Sequence, residues 1–345
     1  MIKINSKIKF SYTERPKIIA EISGNHNGSF SLLKKHLLSA KKNGADLVKI
    51  QTYEPEDITF RNVKKYFKLK SGIWKKMDLW KLYKKACTPI KWHKDIFEIA
   101  KDQNICLFSS PFSLRAVEVL ENMNVKIYKV ASMEITDLKL IDRVAQTKKP
   151  IILSTGLSSL KEIKRAIKVI NKYHQKIILL HCVSGYPTKI EDANINRISL
   201  LKKEFNKYLI GLSDHTQDIA SSLSAAANNI VAIEKHYKLG NINSVDSKFS
   251  INQQDLSNLR KLSERVFLSL NKKKKINKSE LENKFLRRSI YIIKDLKKGE
   301  RIAKNNIDTL RPKIGICASK YFEVLGRKIK KDLTKNTPLK WKFII

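Results

Sequence analysis

Eight short apolar runs, separated by stretches of helical spacing, constrain this chain more than any other feature it has. They read as strands at Lys17 to Glu21, Leu47 to Gln51, Cys106 to Ser109, Ile127 to Val130, Ile151 to Leu153, Ile177 to His181, Leu209 to Leu212 and Ile230 to Glu234. Between them, Leu33, Leu37 and Ala40 share one helical face while Lys34, Lys35, Lys41 and Lys42 fall elsewhere, and Leu160, Ile163, Ile167 and Ile170 repeat the pattern. Ser159 and Glu162 supply a capping box for that second helix. Leu256, Leu259, Leu262 and Val266 mark the last long helix of the series. Continuous apolar strands, each followed by an amphipathic helix, imply a parallel sheet covered by helices. Eight such units in about 250 residues have the size of a (β/α)8 TIM barrel. An open doubly wound sheet is the alternative.

Two segments break the rhythm. About 40 residues rich in lysine and aromatics, Phe60 to Trp80 among them, lie between the strand ending at Gln51 and a helix beginning near Lys91; a connection that long is usually functional, often an active-site lid. After Leu270 the run Lys272 to Lys275 with Asn277 and Lys278 reads as a solvated linker, followed by a short helix at Ser279 to Phe285. From there short strands and turns replace the βα texture: Ser289 to Ile293, Lys298-Gly299, Ile307 to Leu310, Arg311-Pro312 and Leu325-Gly326. The organisation expected is a barrel over residues 1–270, a linker over 271–284 and a second, small domain over 285–345.

Composition bounds the function classes. With 42% hydrophobic residues the chain has material for a sizeable core, and it is not a disordered protein. The formal net charge of +38 raises the question of a polyanionic partner. Lysine, isoleucine and asparagine are plentiful everywhere, as codon bias in an AT-rich genome would produce, and no aromatic RNA-binding strand motif is present; no nucleic acid is expected. Cys87, Cys106, Cys182 and Cys317 form no C-x-x-C pair, so a zinc ribbon or dense disulfide framework is not indicated. The absence of an apolar leader region and of a membrane-length apolar window points to a cytoplasmic protein.

Nearly every strand ends in a group able to bind an anion, a metal or a proton: Glu21, Lys49, Ser109 and Ser110, Lys129 and Ser132, Ser154, His181 and Ser184, Ser213 and His215, Glu234 and His236. Each alone has a bland explanation, as a snorkelling lysine, a capping serine or a core histidine. Eight parallel strands, however, bring all of them to one rim, the face on which barrel active sites lie. His215 and His236 end adjacent strands and can converge on one ion. Two protein nitrogens with the remaining positions open suit Mn2+, Mg2+ or Co2+ better than a closed structural zinc. Lys49 and Lys129, with the hydroxyls of Ser132, Ser154 and Ser213, make the cationic pocket a phosphate or carboxylate requires. A Schiff-base role is the rival reading for Lys129, and an ion pair with Lys49 the bland one for Glu21.

Several segments resemble a known family: AEISGNHNG at Ala20 to Gly28, GADLVKIQTY at Gly44 to Tyr53, SSPF at Ser109 to Phe112, STG at Ser154 to Gly156, SDHT at Ser213 to Thr216 and EKH at Glu234 to His236. In this order they look like the sialic acid synthase family. The tail, with Arg287-Arg288-Ser289, Lys298-Gly299-Glu300 and Leu310-Arg311-Pro312, is similar to the antifreeze-like (SAF, β-clip) domain such synthases carry. Leu79 to Tyr83, Thr88 to His93, Phe108 to Phe112 and Val245 to Ser250 look most like the pseudaminic acid branch; Ser244-Val245 before Asp246, and Ser184, depart from the pattern of ordinary sialic acid synthases. The resemblance implies a metal-dependent condensation of phosphoenolpyruvate with 2,4-diacetamido-2,4,6-trideoxy-altropyranose and water, releasing phosphate. Synthesis of N-acetylneuraminate or N,N'-diacetyllegionaminate is the alternative, and a basic polyanion-binding barrel the non-enzymatic one. The resemblance further implies that Glu21 moves the proton of the attacking water. It also implies that Glu134, Tyr186 and Asp246 hydrogen-bond the sugar, and that Arg311 reaches an N-acyl group in the other subunit of a domain-swapped homodimer.

Overall fold

The computed structural model describes residues 1–61, 64–270 and 276–345. Eight parallel strands close into a barrel: β1 (Lys17–Glu21), β2 (Leu47–Thr52), β3 (Cys106–Pro111), β4 (Tyr128–Val130), β5 (Ile151–Ser154), β6 (Ile177–Cys182), β7 (Leu209–Asp214) and β8 (Ala232–His236). They hydrogen-bond in sequence order, and β8 pairs with β1 to complete the ring, Glu234 standing opposite Ile19 and His236 opposite Glu21. The TIM-barrel expectation holds and the open sheet does not.

Because side chains alternate along a strand, two separate cores result. Ile18, Ala20, Val48, Ile50, Tyr128, Val130, Leu153, Leu179 and Ile233 face outward and pack beneath the helices. Ile19, Leu47, Phe108, Ile127, Ile152, Ile178, Leu180 and Ala232 have the opposite parity and fill the barrel interior. A short antiparallel pair, Ile2–Lys3 with Lys9–Phe10, adds Ile8 and the wholly buried Phe10 to that inner core. Gly211, on β7, has inward parity; a Cβ there would lie 2.6 Å from the Leu180 side chain and 2.7 Å from the Ala232 carbonyl oxygen, so only hydrogen fits. The helices form where the apolar spacing requires. Phe30–Lys42 buries Leu33, His36, Leu37 and Ala40 under a Ser29 cap, and Leu160–Ile170 starts with the Ser159/Glu162 capping box. The helix Gln253–Ser269 buries Leu256 and Leu259.

The long connection after β2 is not a bare loop. It holds the helix Pro55–Ile58, a turn at Lys65–Phe67 and the eight-residue helix Leu79–Ala86 before the helix His93–Asp102 begins; Asn62 and Val63 lie outside the described residues. Asp78 caps Leu79–Ala86 by accepting from the Lys81 amide.

By its contacts the chain divides into residues 1–271 and 272–345. Of the linker expected at 271–284, residues 271–275 lie outside the described residues, and Lys278–Glu282 is a short helix. The carboxyl-terminal unit pairs β9 (Ser289–Ile292) with β10 (Ile307–Leu310) antiparallel. It encloses its own core of Ile290, Ile292, Leu296, Ile302, Ile316, Val324, Ile329, Leu333, Leu339 and Ile344. Among the described residues no helix is long and apolar enough to cross a membrane.

Candidate active site

Inward parity carries past the apolar layer into a polar one. On seven of the eight strands the inner core residue is followed, two positions on, by a polar group: Ile19 by Glu21, Leu47 by Lys49, Phe108 by Ser110, Ile127 by Lys129, Ile152 by Ser154, Leu180 by Cys182 and Ala232 by Glu234; on β7 Ser213 follows Gly211. His215 and His236 stand one further inward step along, beyond Ser213 and Glu234. The same rule removes two residues from the expected rim. Ser109 has outward parity and donates to the Ile50 carbonyl while touching Thr52 Oγ1 at 2.6 Å; His181 Nε2 lies 2.9 Å from the Ala193 carbonyl.

The lower polar layer is a ring of alternating charge. Lys49 Nζ lies 2.7 Å from Glu21 Oε2 and 3.6 Å from Glu234 Oε1, and donates to Ser110 Oγ at 3.3 Å. Glu234 Oε1 is also 4.0 Å from Lys129 Nζ and accepts from Ser213 Oγ. The ion pair that was the bland reading of Glu21 is therefore present. It does not hold both carboxyls equally: burial raises the Glu21 carboxyl to about 6 against the pull of Lys49, with Glu234 adding to the rise. Burial also works against the Glu234 carboxylate, but Lys129 and Lys49 together hold it below the ordinary range. One carboxyl fixed as an anion and one titrating near neutrality is the arrangement acid–base chemistry uses. Burial lowers the Lys129 ammonium despite Glu234, while Lys49, also desolvated, is raised by its two carboxylates.

Beside this ring is a cradle of hydroxyls. Gly156 N donates to Ser132 Oγ at 3.0 Å, and a Cβ on Gly156 would meet Ser184 Oγ at 2.5 Å, Ser132 Oγ at 2.8 Å and Cys182 Sγ at 3.2 Å. Ser154 Oγ, Glu134 Oε2 and Glu234 Oε2 are buried with no hydrogen-bond partner. Unpaired buried polar atoms carry a cost that a bound ligand relieves. Burial, opposed chiefly by Lys129, raises the Glu134 carboxyl to about 7.

Above the ring, the His215 and His236 imidazoles have centroids 5.2 Å apart. His215 Nδ1 lies 2.9 Å from the Val183 carbonyl, which can only accept, so Nδ1 carries a proton; burial works against the charged ring, but Cys182 and then that carbonyl raise it above the usual histidine value. His236 Nδ1 has no partner; burial and then His215 keep this imidazole well below the usual histidine range and hence neutral. Two imidazoles at this spacing are a fit donor pair for a divalent cation, His236 as the neutral ring and His215 once its Nε2 is deprotonated. Among the described residues no cluster of three or more histidine, cysteine or carboxylate side chains could hold a metal, so further ligands would have to be water or substrate oxygens.

Tyr186 packs its ring 4.6 Å from His215 and Phe249 packs 4.8 Å from His236; Trp74, from the long connection after β2, closes on Tyr186 at 5.8 Å and Phe249 at 5.9 Å. Asp246 is turned onto backbone, Oδ2 accepting from the Gly24 amide at 2.8 Å. Its neighbour Ser23 shares the Gln51 amide group with Glu21 Oε1, at 2.9 and 3.0 Å. Arg311 is exposed in the carboxyl-terminal unit, followed by a cis Pro312. Trp74 and Phe249 fall in segments that the sequence marks, Phe60 to Trp80 and Val245 to Ser250, but neither is singled out there as a site residue. Cys182 had a sequence signal, the inward parity with Leu180. Its thiol, although buried, is drawn down to about 7, first by His215 at 3.8 Å.

Residues 37–275 match the NeuB family and residues 287–345 the SAF domain. The chain is 42% identical over 328 residues to the pseudaminic acid synthase of Helicobacter pylori, covering 94% of this chain and 96% of that protein. It is 38% identical over 334 residues to the pseudaminic acid synthase of Campylobacter jejuni, covering 96% and 97%. The N-acetylneuraminic acid (sialic acid) synthetase of Leptospira borgpetersenii, solved in complex with citrate, superposes with a TM-score of 0.73 at 30% identity, over 81% of this chain and 93% of that one.

Proposed function

Because the chain belongs to the NeuB family, we propose that it is a pseudaminic acid synthase. It joins C3 of phosphoenolpyruvate to the aldehyde carbon of open-chain 2,4-diacetamido-2,4,6-trideoxy-altropyranose, adds water at C2 and releases phosphate. The observation that carries the reading is the pairing, on one barrel mouth, of a cationic hydroxyl-lined cradle with two convergent histidines. This is placed in a chain nearly coextensive with synthases of that product.

Lys49, Lys129, Ser132, Ser154, Ser184 and Ser213 hold the phosphate and carboxylate, and Ser110 and Glu234 keep the two ammonium groups in place. Charge and hydroxyl donors fixed before the ester arrives cost no reorganisation during reaction. His215 and His236 would hold Mn2+, Mg2+ or Co2+, which supplies Lewis-acid polarisation of the sugar aldehyde when bound. As the enol carbon attacks, the aldehyde oxygen gains a proton and C2 becomes an oxocarbenium centre. Glu21, poised near neutrality, takes the proton of the water that adds there. Collapse of the resulting hemiketal phosphate expels phosphate and leaves the 2-keto acid. Glu134, Tyr186 and Asp246 serve the sugar's hydroxyl and amide groups, Asp246 through its remaining acceptor capacity.

Phosphate release should require phosphoenolpyruvate, the 6-deoxy diacetamido sugar and a divalent cation together, and should stop on chelation. Release with N-acetylmannosamine at equal efficiency, or release unaffected by chelator, would refute the substrate or the metal part respectively. A polyanion binder would instead show no turnover and a steep salt dependence.

Arg311 is proposed to act on an N-acyl group in a partner subunit of a domain-swapped homodimer. Arg311→Ala and Glu21→Ala proteins, each inactive or nearly so, should then regain part of the activity when their subunits exchange. Heterodimers without rescue would exclude this role.

A further inference from the structure

Two residues of the SDHT and EKH segments take no part in the chemistry above, although each stands between two that do. Asp214 separates Ser213 from His215, and Lys235 separates Glu234 from His236. Both have outward parity, and they are direct cross-strand partners in the β7–β8 register. Lys235 Nζ lies 3.0 Å from Asp214 Oδ2, with side chains 0% and 2% exposed.

Every polar atom of this pair is occupied, and its bonds lead either to Thr216, the residue after His215, or to the helix that follows it. Asp214 Oδ1 accepts from the Thr216 amide at 2.9 Å and its hydroxyl at 2.8 Å. Asp214 Oδ2 accepts from Ser221 Oγ at 2.7 Å and Ser222 Oγ at 2.6 Å, in the first turn of the helix Ala220–Ala227. Lys235 Nζ also donates to the Thr216 carbonyl at 2.6 Å and its hydroxyl at 3.1 Å. A wholly buried ion pair is weak evidence for stability, since well-packed apolar residues of similar volume commonly do as well. Its distinctive property is directional: the bonds fix where the backbone of residues 213–216 stands relative to 234–236.

We propose that Asp214 and Lys235 are positioning residues that set the separation and attitude of the His215 and His236 imidazoles for one shared divalent cation. The proposal rests on the metal reading given above. It acts through the two strand ends, since neither residue points into the mouth. Supporting groups behind metal-binding imidazoles commonly change metal affinity by about 10–100-fold when removed.

The test is Mn2+ affinity of the full chain without substrates, read by electron paramagnetic resonance, beside KM for phosphoenolpyruvate and the thermal midpoint. Asp214→Leu combined with Lys235→Met removes both charges together, so no unpaired ion is left in the core. It should melt close to wild type yet bind Mn2+ about 10–100-fold more weakly, with KM for phosphoenolpyruvate within about twofold. Ser222→Ala removes one small hydroxyl from behind Asp214 and should weaken Mn2+ binding a few-fold; it reports on the same question should the double variant fold poorly. Unchanged Mn2+ affinity in a folded double variant, or in Ser222→Ala if the double variant does not fold, would overturn the proposal. Wild-type protein that takes up no Mn2+, or takes it up equally after His215→Ala, would refute the metal reading itself and this proposal with it.

Discussion

His236→Ala yields a folded protein that turns over at least about 10^3-fold more slowly than wild type. The magnitude follows from removing one of the two nitrogens, among the described residues, proposed to hold a cation that would polarise the aldehyde. The fold survives because the imidazole does little else: its Nδ1 has no partner, and what is lost is ring packing against His215 and Phe249. Phosphate release, circular dichroism and Mn2+ titration on the same sample check this. Near-normal turnover with unchanged metal affinity would remove His236 from the site.

Lys49→Met destabilises the barrel by about 3–5 kcal/mol, the usual cost of breaking a buried pair by deleting one member. Both Glu21 and Glu234 face Lys49, and methionine leaves them in a desolvated pocket with Lys129, 4.0 Å from Glu234, as the one remaining ammonium of the ring. The loss also acquires a pH dependence whose sign is fixed. Glu21 already has a folded-state value of about 6 against 4.5. A carboxyl raised on folding binds more protons folded than unfolded, so its contribution to stability is fully present below 4.5 and is lost as pH rises through the folded value. Without Lys49 the Glu21 carboxyl rises further. The deficit relative to wild type, measured by urea unfolding, should be smaller at pH 5 than at pH 8. An equal deficit at both values would mean that Glu21 does not feel Lys49 as the 2.7 Å separation requires.

All eight strands were legible because a barrel strand buried on both faces is a continuous apolar run, and composition alone marks it. The expected strand ends fell short for the same reason. Apolar content stops at Leu153, at Leu212 and near Glu234, whereas pairing continues to Ser154, Asp214 and His236. Lys49, Ser110, Lys129, Ser154, Ser213, Glu234 and His236 lie on the strands, whereas Ser132, Ser184 and His215 follow them. Counting in twos from the inner core would have sorted Ser110 from Ser109 and Cys182 from His181 in advance. Trp74 and Phe249 could not be found that way, since both lie off the strands, Phe249 in the short 3-10 turn Ser247–Phe249, in connections whose path is set by tertiary packing. Asp246 was legible as a residue of the site, but not its tether to the Gly24 amide, a contact across 222 positions of sequence.

The filled lower half of the barrel bears on the order of events. Phe10, Ile8, Phe108 and their neighbours occupy the interior beneath the charged ring, and the ring in turn lies one inward step beneath the two histidines. In the proposed reaction an ester seated among Lys49, Lys129 and the serines would lie deeper along the barrel than a sugar aldehyde held at the histidines. Under the proposed reaction the three-carbon substrate must enter first, and a sugar that arrives early bars its path. Substrate addition should then be compulsory-ordered by depth, with excess sugar expected to inhibit competitively against phosphoenolpyruvate.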